Sequence, residues 1–86
     1  MEIDSLAITL EKTLALLRKS KSSLYSNLSV EEVILQLEEE LNKRKGLRPV
    51  DMRRLKALFA PTGAIQDISI DNGWGTEFLI LANVLD

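Results

Sequence analysis

The stretch Leu28-Ser29-Val30-Glu31-Glu32-Val33 decides the fold class. Ser29 followed three residues later by Glu32 is a capping box, and Leu28 with Val33 is a hydrophobic staple around it, so a helix must start here. Val30, Val33, Ile34, Leu37 and Leu41 then keep helical spacing as far as Gly46, whose backbone is free to take the left-handed conformation that ends helices. Leu35 falls off that stripe. Glu39 with Lys43 and Glu40 with Arg44 stand at i,i+4, pairs worth a few tenths of a kcal/mol each on an ordinary solvated face.

Upstream, Asp4 or Ser5 caps a first helix whose Leu6, Leu10, Leu14 and Leu17 form a core stripe. Ile8 and Ala15 lie roughly opposite, so this helix is covered on two sides or offers a second contact surface. Arg18-Lys19-Ser20-Lys21-Ser22-Ser23 puts cations where they suit the helix dipole and small polar residues where the chain turns. Tyr25 in the linker that follows is expected to anchor it to the core.

Downstream, Pro49 suits the first turn of a third helix with Val50, Met52, Leu55, Leu58 and Phe59 facing inward, and Pro61 ends it near Ala60. In residues 62–70, Ile65 and Ile68 fit a helical turn while Ile68 and Ile70 alternate like a strand; a short helix is the favoured reading. Asp71-Asn72-Gly73-Trp74-Gly75 reads as a turn. Thr76 then caps a last helix, Glu77 to about Leu85, which is apolar nearly all round and so expected to be buried on more than one side. The prediction is an all-α domain spanning 1–86, a compact bundle of four or five short helices that dimerisation could complete.

With 86 residues, 45% hydrophobic and 28% charged, the chain has the composition of a globular domain. Cysteine and histidine are both absent, which removes disulfides, thiolate nucleophiles, zinc-finger ligand sets and imidazole bases. A start Met1-Glu2-Ile3-Asp4, acidic where a signal peptide is basic, points to the cytoplasm. The apolar run Phe78 to Leu85 is far short of the roughly 20 residues of a membrane span. The acidic clusters Glu31-Glu32 and Glu38-Glu39-Glu40 have no base, nucleophile or oxyanion donor beside them and no EF-hand spacing, so no enzyme, cofactor or metal is expected.

Charge is segregated along the chain: residues 22–42 hold five acids and no base, residues 43–56 seven bases and one acid. Lys43, Arg44, Lys45, Arg48, Arg53, Arg54 and Lys56 could therefore clamp phosphates or an acidic partner around a helix–turn–helix junction. No aromatic is interleaved to stack on bases, and balancing against the acidic segment explains the pattern equally well. Trp74, between two glycines, either caps the core or is displayed as an aromatic anchor.

Ser22-Ser23-Leu24-Tyr25-Ser26-Asn27-Leu28-Ser29-Val30-Glu31-Glu32, and Ala60-Pro61-Thr62-Gly63-Ala64-Ile65-Gln66-Asp67-Ile68 running on to Asn72-Gly73-Trp74-Gly75-Thr76-Glu77-Phe78-Leu79, resemble small cyanobacterial helical proteins. That resemblance carries no catalytic motif and transfers no functional residue; it implies a helical fold and, from some relatives, a part in regulating cell differentiation. The functional expectation is a non-catalytic protein–protein interaction or regulatory module, binding a partner or a second copy through Ile8, Leu35, Trp74, Phe78 and Ile80. The alternative is a nucleic-acid-binding regulator using the basic window 43–56.

Overall fold

A computed structural model describes residues 4–24, 26–61 and 63–85, which places Tyr25 and Thr62 outside the described residues. Five helices follow one another: α1 Ser5–Arg18, α2 Val30–Lys45, α3 Met52–Leu58, α4 Ala64–Asp71 and α5 Gly75–Ala82, with a 3₁₀ turn at Asn83–Leu85. No strand occurs among the described residues, so the ambiguous segment is helical, as favoured.

Each helix start has a local cause. The Asp4 side chain accepts from the Ala7 amide, that of Ser29 from the Glu32 amide and that of Asp51 from the Arg54 amide, each removing one orphan donor of a first turn. In the capping box the Glu32 carboxylate reaches the Ser29 hydroxyl at 3.1 Å.

Three details at the helix ends differ from expectation. The end of α2 is a Schellman closure, with Leu47 N–H donating to Arg44 O at 3.2 Å and Arg48 N–H to Lys43 O at 2.8 Å. Gly46 is the C-cap, φ −83°, still close to helical, so the left-handed residue that closes the motif is the next one, Leu47, φ 57°. Pro49 lies ahead of α3 instead of inside it, since Asp51 caps the helix and its own amide is drawn to Glu40 Oε1 at 2.8 Å. Met52, expected inside, is exposed. Thr76 lies within α5, whose N-cap is Trp74 with no side-chain capping bond.

The core unites Leu10, Leu14 and Leu17 of α1 with Val33, Leu37 and Leu41 of α2, Leu55 and Leu58 of α3, Ile65 and Ile68 of α4, and Phe78 and Leu81 of α5. Phe59 and Phe78 stack at 6.3 Å with ring planes 6° apart, joining the end of α3 to α5. Gly63 lets the chain turn tightly against α3: a Cβ there would lie 2.7 Å from Ala57 O and 2.9 Å from Ala60 O.

Candidate interaction surface

A latch sets the course of α5. Trp74 Nε1 donates to Ser20 Oγ at 2.9 Å, Asn72 Oδ1 accepts from the Lys21 amide at 2.9 Å, and Asn72 Nδ2 donates to Lys21 O at 2.8 Å. The Ser23 hydroxyl donates to the Asp71 carboxylate. Because the start of α5 is tied to the end of α1, and the 3₁₀ turn after α5 packs along α1, α5 runs antiparallel to α1. Gly73, φ 83°, supplies the reversal between α4 and α5.

That alignment leaves an open groove between the two helices, lined by Lys12, Ala15, Leu16, Glu77, Ile80 and Leu81. On α5, Phe78 and Leu81 face the core, which at 100° per residue turns Glu77 and Ile80 outward along one stripe and Leu79 along the other flank, with Val84 following in the 3₁₀ turn. Exposures follow: Ile80 67%, Leu79 63% and Val84 45%. Leu79 shares a second groove with Ile70, also exposed, on the α4 side. The helix expected to be buried on more than one side is thus covered on one side only, and its remaining apolar surface faces solvent.

Of the five residues expected to meet a partner, Ile80 and Ile8 lie toward this face, Ile8 one turn before Lys12 on α1. Trp74 and Phe78 are buried, at 6% and 3% exposure. They belong to the core, because the Trp74 ring caps it while its N–H finds Ser20. Leu35 is exposed on the α1–α2 side beside Glu38 and Asn42, on a different face.

The basic window is largely spent internally. Arg54 Nη1 pairs with Glu39 at 3.1 Å and Glu40 at 2.9 Å while its Nε donates to Gln36 at 3.1 Å. Lys43 pairs with Glu40 at 3.0 Å, Arg44 with Asp4 at 2.9 Å and Lys45 with Glu11 at 3.2 Å. The i,i+4 pairs expected within α2 give way to these partners, because α1 and α3 bring competing charges to both sides of α2. Arg48, Arg53 and Lys56 make no ion pair among the described residues.

Glu40 is what the sequence reading missed, having placed it on a solvated face. Its side chain is fully buried, with Oε1 accepting the Asp51 amide and Oε2 accepting Lys43 and Arg54. Burial pushes its carboxyl upward, but the Asp51 amide, Lys43 and Arg54 together outweigh that and hold it below the ordinary value. Glu40 lies near Val33 and Leu37 on the helical wheel, where an acid reads as an interruption of the stripe; that was the available signal. With both oxygens engaged, it clasps α2 to the start of α3. No group of three or more acids could hold a metal ion among the described residues, and no helix is long and apolar enough to cross a membrane.

Comparison with protein-family models, curated proteins and solved structures found no match. The likeness to cyanobacterial helical proteins therefore rests on the quoted residues alone.

Proposed function

We propose that this protein is a small non-catalytic interaction module that docks a protein partner on the outer face of α5 and the adjoining side of α1. The observation that carries the reading is the exposure of Ile80 on α5 and of Val84 in the 3₁₀ turn that follows it, with Ile8 exposed on the adjoining side of α1. An apolar cluster of that kind on a small protein marks a contact surface, whereas singly scattered apolar residues do not. The test is a pull-down from nuclease-treated lysate of the source organism with wild type and Ile80→Asp. Ile80 is 67% exposed and outside the buried core, so the variant is expected to keep the fold, checked by circular dichroism. Partners held by the wild type and lost by the variant are expected; identical retention by both overturns the reading.

A second reading, nucleic-acid binding, draws on Arg48, Arg53 and Lys56, the cations of the window left without acidic partners among the described residues. Three phosphate contacts set a slope of log K against log salt of about −2.7, where all seven cations would give about −6. Arg53→Glu with Lys56→Glu is the informative variant, since reversing Arg54 would also break the Glu40 clasp. Absent or salt-independent binding to duplex DNA removes this reading.

A further inference from the structure

We infer that the occupant of the α1–α5 face is a second copy of this chain, related by a two-fold axis running along the groove, so that α5 of each copy lies over α1 of the other. The inference rests on the interaction reading above and adds the identity of the partner. Its first support is charge. Lys12 and Glu77 line the same groove from its two helices, both exposed, and neither makes an ion pair among the described residues. An isologous interface needs a patch complementary to itself. A patch with one cation on its α1 side and one anion on its α5 side meets that need, because the two-fold brings Lys12 of each copy to Glu77 of the other.

The second support is size. Two helices side by side, the longer of 14 residues, offer a footprint about 20 Å long and about 20 Å wide. At about 400 Å² per copy, about 800 Å² in all, that is smaller than a stable interface and on the scale of weak, transient association. Ile8 and Leu16 of α1, Ile80 of α5 and Val84 of the 3₁₀ turn supply its apolar area, with Lys12 set between Ile8 and Leu16 and Glu77 three residues before Ile80, so the crossing charges pair within the patch. A weak dimer that exchanges readily with monomer is expected.

Sedimentation of the full chain from about 1 μM to about 1 mM, on wild type, Ile80→Asp, Lys12→Glu and Glu77→Lys, tests this. Wild type should pass from monomer to dimer across that range and Ile80→Asp should stay monomeric, with circular dichroism confirming its fold. Each single charge reversal should weaken self-association about tenfold. Mixing Lys12→Glu with Glu77→Lys should form a heterodimer about as tight as the wild-type dimer, since both crossing contacts then join opposite charges. A chain monomeric throughout overturns the inference; if it still holds a different protein that Ile80→Asp loses, the interaction reading survives alone. A dimer indifferent to Ile80→Asp also overturns the inference, and the interaction reading is then decided by the pull-down alone. A dimer sensitive to Ile80 whose two charge variants fail to pair overturns the two-fold arrangement.

Discussion

Glu40 has the largest consequence of any single side chain here. Removing one member of a buried, hydrogen-bonded charge cluster leaves the others uncompensated, so Glu40→Ala should cost about 3–5 kcal/mol, read from urea unfolding. The depressed carboxyl also sets a direction with pH. The unfolded chain takes up a proton on this group before the folded chain does, so the stability it contributes is complete above the ordinary glutamate value of about 4.3 and is lost as pH falls below it. Asp4 has the same sign, its carboxyl lowered chiefly by its hydrogen bond to Arg44 and next by the Ala7 amide. Glu40→Gln should flatten the acid side of the stability profile. Two backbone positions give opposite expectations. Leu47 pays for a left-handed conformation with its side chain 94% exposed, so Leu47→Gly should stabilise by roughly 1 kcal/mol in thermal melts. Gly63→Ala should destabilise by about 1–3 kcal/mol, because carbonyl oxygens and not flexible side-chain tips stand where its methyl would go.

Among the helices, those legible in the sequence were the ones whose starts are written in neighbouring residues. Ser29 with Glu32 and Asp4 with Ala7 are local arrangements, visible as spacing before any packing is known. The start of α3 was read at Pro49 because the reason it begins at Met52 is partly non-local: Glu40, eleven residues earlier, takes the Asp51 amide. The end of α2 at Gly46 was read correctly, but the left-handed residue is Leu47, one further on, because a glycine's freedom was taken for its conformation. For α5 the apolar composition was correctly noticed, but composition does not say how many neighbours a helix has; α1, α4 and Phe59 cover its Phe78 and Leu81 side and leave Leu79 and Ile80 exposed. The latch at its start could not be found by periodicity, since Lys21 and Asn72 are joined across 51 residues. Asn72→Ala removes a side chain that satisfies the Lys21 amide and carbonyl together and should cost about 1–3 kcal/mol. Hydrogen exchange should speed at the Lys21 amide and at the first turn of α5 more than in α2.

For the molecule as a whole, the alternation of acidic and basic segments serves mainly to hold the bundle together. Arg18–Glu38, Lys45–Glu11 and Arg44–Asp4 tie α1 to α2, at distances of 2.9–3.2 Å, and Arg54 ties α3 to α2. The solvated pairs are screened by salt and the Glu40 cluster is not. Raising ionic strength should therefore lower the melting temperature only slightly in wild type, and by the same amount in Glu40→Gln. That charge would pair within the chain was one of the readings open from the sequence; which cations would pair depended on helix packing that spacing does not encode. The latch also makes the protein its own optical probe. Trp74 is the sole tryptophan, buried and bonded to Ser20, so its emission reports the junction of α1 with α5 and is blind to the Glu40 clasp. Acid titration followed at once by that emission and by far-ultraviolet dichroism would show coincident curves if the bundle opens as one unit, and separated curves if the α3 side lets go first.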